Sequence, residues 1–117
     1  MNDAFIYVLT TNGLLFVVSI IFWQFPPKKI NNLYGYRTHK SMANQDIWDF
    51  ANTVFNKNLI IYSAFSFGAG LLFAYLAPEK TSWQPMVLVL LSILVSIIKT
   101  ERLLKDNFDE EGNRLKK

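Results

Sequence analysis

The chain has 117 residues, 51% of them apolar and 18% charged, with a formal net charge of +3 and no cysteine. That length holds one domain, and the composition is too apolar for an ordinary soluble one. Disulfides, thiolate nucleophiles and Cys-ligated metals are excluded, and a single histidine, His39, excludes a His-rich metal site within one chain.

The first element is Ala4 to Phe25, 22 residues without an acid or base. Such a run matches the ~30 Å hydrocarbon thickness of a bilayer and predicts a membrane-spanning helix over about 4–25. It has no basic n-region and ends in Phe25-Pro26-Pro27 rather than in small residues, so it is expected to persist rather than be cleaved as a signal peptide. The prolines stop it, because Phe25 is pushed out of the helical region and neither ring nitrogen can donate a hydrogen bond. Asn12, near mid-depth beside Gly13, is expected to hydrogen-bond to a neighbouring helix.

The polar stretch 26–58 comes next, and it divides into two halves. Asn31, Asn32 and Gly35 favour turns, whereas Ser41 can cap a helix predicted over about 42–57, which either ends there or runs into the following span. Ala43, Ile47, Phe50, Ala51, Val54 and Phe55 give that helix an apolar face suited to lying under the bundle or against the membrane. Asn44, Trp48 and Asn52 are spaced by four and stack on another face. They read either as solvated asparagines around an interfacial tryptophan, or as a hydrogen-bonding stripe that holds the preceding loop or a ligand. In Tyr34-Gly35-Tyr36-Arg37-Thr38, the glycine permits a tight turn and the arginine can fork onto carboxylate or phosphate, including lipid phosphate.

A second uncharged run, Leu59 to Ala77, has 19 residues, and a third, Trp83 to Ile98, has 16. Pro85 suits a first helical turn, so further spans are predicted over about 59–77 and 84–100. Ala64-x₃-Gly68 and Ser66-x₃-Gly70 on the second span allow close approach of another helix, either of this chain or of a second copy in a homo-oligomer. The tail 106–117 has little apolar content and is expected to be a frayed, polar helix end following a membrane domain over 1–105.

Basic residues set the orientation. Lys28, Lys29, Arg37, Lys40 and Lys57 follow the first span, and Lys99, Arg102, Lys105, Arg114, Lys116 and Lys117 follow the third. Eleven of the 12 basic residues therefore fall on one side of a chain that crosses three times, Lys80 being the exception. This distribution reports topology rather than nucleic-acid binding. It predicts a multi-pass membrane protein with the N terminus outside and the loop and tail in the cytoplasm. Tyr7, Tyr75 and Trp83 then fall near the outer interface, and Trp23 and Tyr62 near the inner one.

Gly35-Tyr36-Arg37-Thr38 followed by Ser41, Asn44, Trp48 and the pair Ala51-Asn52 resembles the signature of the SdpI family, small bacterial integral membrane proteins named for an immunity protein. The resemblance extends to the flanking apolar architecture. It implies a binding role for Gly35, Tyr36, Arg37, Thr38, Ser41, Asn44, Trp48 and Asn52, in immunity to, or sensing of, a membrane-active peptide toxin. It also implies engagement of a regulatory protein, because the founding system resembles a receptor that sequesters a repressor. Longer relatives have additional spans, whereas three are predicted for this chain.

Other functions fit less well. His39, Asp46 and Asp49 follow no established ligand or catalytic spacing, so an enzyme is not expected, nor is a cofactor. Transport is disfavoured by spans without ionisable residues, since such groups persist inside a bilayer where function requires them. The alternative from another class is an accessory subunit that holds inner-leaflet lipid or a larger partner. The fold expected is an all-α integral membrane protein: three transmembrane helices with a cytoplasmic interfacial helix between the first and second.

Overall fold

In the computed structural model the chain forms three long helices, α1 (Asp3–Gln24), α2 (Gln45–Leu76) and α3 (Gln84–Asn107), with a 3-10 turn at Pro78–Lys80. The structure describes residues 3–31, 33 and 35–115, so Asn32, Tyr34, Lys116 and Lys117 of the turn and charge patterns lie outside it. Helices α1 and α2 are each long and apolar enough to cross a membrane. In α3 an apolar first half gives way to Lys99, Glu101, Arg102, Lys105 and Asp106.

Helix α1 ends at the predicted place. The Phe25 amide donates to the Ile21 carbonyl at 2.8 Å, and the prolines that follow have no amide to continue the ladder.

The stretch expected as an interfacial helix, with the option of running into the second span, does run into it and is the first half of α2. No proline interrupts Gln45 to Leu76, and the first glycine is Gly68, so one rod of 32 residues forms. At 1.5 Å per residue it is about 48 Å long, about three turns more than a ~30 Å hydrocarbon core requires. The cap also differs from expectation: Asn44, not Ser41, accepts the Ile47 amide at 2.8 Å. Ser41 lies in the preceding turn with its hydroxyl already committed to the backbone of Tyr36 and Thr38.

The helices alternate in direction, so the end of α1, the start of α2 and the end of α3 meet at one end, called here the basic end. Between the ends, polar side chains bridge the helices. Asn12 is fully buried and donates to Ser66 Oγ at 2.7 Å and to the Pro85 carbonyl at 3.2 Å, which joins all three helices. Ser19 and Ser63 meet at 3.2 Å. On α3, Ser92, Ser96 and Thr100 form a buried stripe at spacing four, each hydroxyl donating to the carbonyl one turn back. That geometry satisfies the hydroxyls while keeping the contact face thin.

Of the two small-residue rows on α2, Ser66 and Gly70 face α1, where a Cβ on Gly70 would come within 3.0 Å of Val8 Cγ1. Ala64 and Gly68 face outward, and a Cβ on Gly68 would meet nothing within 4 Å.

The tail is not a frayed end. Helix α3 runs on to Asn107, and residues 108–115 turn back as a strap: Asp109 N donates to Asn113 O at 2.8 Å and Leu115 N to Asn107 O at 2.9 Å. Gly112 makes the reversal with φ +87°, a conformation that side chains disfavour. Phe108 is buried with Leu104, Ile47, Ala51 and Tyr36, forming the apolar core of the basic end. Burying a side chain such as Phe108 stabilises by about 1.5–3 kcal/mol, enough to hold a short strap.

Candidate functional site

The motif residues converge on the first turns of α2, and the spacing-four stripe is what gathers them. Each member fastens a different piece of chain. Asn44 donates from Nδ2 to the Gly112 carbonyl of the strap at 2.8 Å. Trp48, fully buried rather than interfacial, donates from Nε1 to the Pro27 carbonyl at 2.8 Å. Asn52, also buried, accepts the Tyr36 amide on Oδ1 at 2.6 Å while Nδ2 donates to the Trp48 carbonyl at 2.9 Å. Gln45 adds a donation to the Lys28 carbonyl at 2.6 Å. The loop is thus held at Pro27, Lys28 and Tyr36 by side chains of one helix.

Gly35 has no room for a side chain. Its φ is +109°, and a Cβ would lie 2.6 Å from Pro27 Cγ and 2.7 Å from Asn52 Oδ1. Close approach of Tyr36 to Asn52 therefore depends on glycine at this position.

After Tyr36 the chain makes a closed turn. Ser41 Oγ accepts the Thr38 amide at 2.7 Å and lies 3.0 Å from the Tyr36 carbonyl, and Ser41 N donates to Thr38 Oγ1 at 3.1 Å. Arg37 stands exposed on the outside of this turn.

Tyr36 itself couples the loop to α3. Its ring stacks on Phe55 with centroids 4.5 Å apart, and its hydroxyl donates to Glu101 Oε1 at 2.5 Å. Burial, reinforced by the hydrogen bond and negative charge of Glu101, raises the phenol above its ordinary pKa and keeps it a proton donor.

Behind the loop lies a cavity of about 630 Å³ between the end of α1, the proline corner and α2. Gly35, Tyr36 and Asn52 form one wall, and Phe22, Trp23, Pro26, Phe55, Ile60 and Ile61 supply apolar surface. Lys28, Asp49, Thr53, Asn56 and Lys57 supply the polar part. This mixture suits a ligand with one apolar and one polar portion. Of the eight motif residues only Gly35, Tyr36 and Asn52 reach the cavity; Ser41, Asn44 and Trp48 are buttresses, and Arg37 and Thr38 belong to the outer turn.

The cavity residues outside the motif were hidden in the sequence because they are scattered over the ends of two spans and the polar stretch between them, with no common spacing. Asn56 was the available signal, since it extends the row 44, 48, 52 by one more turn; its Nδ2 donates to the Ser19 carbonyl at 3.0 Å. The acids considered for catalysis are engaged: Asp46 is held bidentately by Arg114 at 2.8 Å and 2.8 Å, and Asp49 accepts from Gln45 at 2.8 Å. Among the described residues no three of His, Asp or Glu cluster as a metal site.

Comparison with known proteins agrees with the motif. Residues 28–100 match the SdpI/YfhL protein family, and the chain belongs to that family. It is 32% identical over 104 residues to a Bacillus subtilis (strain 168) protein, the uncharacterized protein YfhL, covering 89% of this chain and 91% of that protein. No solved structure matches.

Proposed function

We propose that this SdpI/YfhL-family chain is a multi-pass membrane binding protein that protects against, or senses, a membrane-active peptide. In this reading all three helices cross the membrane, the N terminus is outside, and the basic end faces the cytoplasm. The excess of Lys and Arg at that end supports the orientation. The observation that carries the reading is the braced loop: the motif side chains Asn52 and Trp48 hold Tyr36 and the proline corner on α2, which presents the exposed Arg37 turn at the surface of the basic end. A chemical reaction is not part of the proposal, because the acids near the site are already engaged by Arg114 and Gln45. The proposal includes a regulatory protein as second partner, docking at the exposed Arg37 turn and the strap.

The experiment is survival of a peptide-sensitive bacterium with and without the chain. The expected result is increased survival when the chain is present, reduced by Arg37→Ala more than by Lys29→Ala at matched expression. Unchanged killing with the wild-type chain contradicts the reading.

A further inference from the structure

The cavity at the basic end has a definite chemical polarity. Phe22, Trp23, Ile60 and Ile61 line its apolar part, and Lys28 and Lys57, both exposed, are the basic residues of its lining. Its one acid among the described lining residues, Asp49, already accepts from Gln45 Nε2 at 2.8 Å, and that same amide nitrogen holds the Lys28 carbonyl at 2.6 Å. The backbone of Lys28 is therefore fixed at the cavity by the same amide that positions the Asp49 carboxylate. Trp23 and Ile61 are exposed, so the apolar part opens sideways onto the outer surface of α1 and α2. A volume of about 630 Å³ falls within the roughly 300–1,000 Å³ of ligand pockets.

We infer that this cavity is a site for one anionic phospholipid of the inner leaflet. The phosphate lies between Lys28 and Lys57, and the acyl chains leave past Trp23 and Ile61 into the bilayer. Two basic residues against one carboxylate leave the lining net positive, which favours a negative headgroup over a zwitterionic one. The sideways opening favours a lipid that is already in the membrane over a solute arriving from water. The inference rests on the orientation proposed above, which external labelling of a Thr38→Cys probe in intact cells reports separately, as survival assays report immunity separately.

The test uses the full chain in nanodiscs of phosphatidylcholine containing a minor fraction of phosphatidylglycerol, with native mass spectrometry of the lipid retained after release into mild detergent. Phosphatidylglycerol is expected to be enriched. Lys28→Gln and Lys57→Gln are each expected to lower that enrichment about fivefold, the effect of one basic residue near a lipid surface. Lys29→Gln removes an exposed neighbouring charge outside the cavity and is expected to leave it unchanged. Ile60→Trp fills the apolar part and is expected to abolish retention of both lipids, with helical circular dichroism confirming the fold.

Equal retention of the two lipids overturns the inference, as does an equal loss for Lys29→Gln and Lys28→Gln. Stripping of the enrichment by excess inorganic phosphate, which marks a site for free anions, overturns it too. So does a membrane-active peptide being retained where no lipid is.

Discussion

Tyr36 and Asn52, 16 positions apart, face each other across the proline corner: the Tyr36 amide donates to Asn52 Oδ1 at 2.6 Å, and Asn52 Nδ2 lies 3.5 Å from the Tyr36 carbonyl. One asparagine thus plays the part of a neighbouring strand, offering acceptor and donor to a single residue of loop backbone. The loop gains a fixed position on α2 that its own turns do not supply.

Asn52→Ala leaves the buried Tyr36 amide without its acceptor. Such a loss costs about 1–3 kcal/mol and is expected to lower the thermal unfolding midpoint in nanodiscs. Asn52→Asp keeps the acceptor but loses the donation to Trp48 and buries a charge, so it is expected to be no better tolerated than alanine.

Gly35→Ala is expected to be more damaging than any other single-methyl addition on α2 or its loop. Left-handed backbone costs a side chain about 1–2 kcal/mol, and the new methyl also collides with Pro27 and Asn52. Gly68→Ala is the control: its Cβ enters open space in mid-helix, and the expected change lies between zero and a stabilisation of about 1 kcal/mol. Thermal unfolding of the two variants checks the contrast.

The bond from Tyr36 to Glu101 links the motif loop to α3. Tyr36→Phe is expected to cost about 1.5–3 kcal/mol, as loss of a hydrogen bond to a charged group does. In a double-mutant cycle with Glu101→Gln the two changes are expected to be non-additive by at least about 0.5 kcal/mol. Strict additivity would mean that the loop and α3 are not coupled through this pair.

The strap is predicted to be acid-sensitive. Asp46 lies ahead of the apolar stretch of α2, and the Arg114 guanidinium, chiefly through its hydrogen bonds, holds the carboxyl below its usual range. A carboxyl depressed by folding supports the folded arrangement above its unfolded pKa of about 4, and that support disappears as pH falls through the lower folded value. A spin label at Leu115→Cys, in a chain with no native cysteine, is expected to be restrained at pH 7 and to gain mobility as the pH falls below about 4. Asp46→Asn is expected to give a partial gain in mobility at pH 7, because the ion pair is exposed and Phe108 stays buried. Arg114 also covers the rings of Phe50 and Phe108, at 5.6 Å and 5.1 Å, so Arg114→Leu is expected to retain more order than Arg114→Ala.

The helices were legible in the sequence because uncharged runs and the proline pair constrain the backbone on their own. Asn12 was legible too, since an amide within an apolar run has few places to go but another helix. The cap was not, because Ser41 and Asn44 are both good capping residues, and only the turn formed by Thr38 and Ser41 decides between them. The strap was missed for a similar reason: its hold comes from Phe108, Gly112 and Arg114, three residues whose partners are some 60 positions away. The stripe Asn44, Trp48, Asn52 was visible, but that it binds backbone at Pro27 and Tyr36 follows only once the proline corner is folded over it.

The most direct measurement of the central claim is amide hydrogen exchange at Tyr36 in the full chain in nanodiscs. The account predicts a protected Tyr36 amide whose exchange accelerates at least about tenfold in Asn52→Ala, as expected for loss of 1.4 kcal/mol or more, while the amides of α1 remain unchanged. A Tyr36 amide that already exchanges at the unprotected rate in the wild-type chain would contradict it.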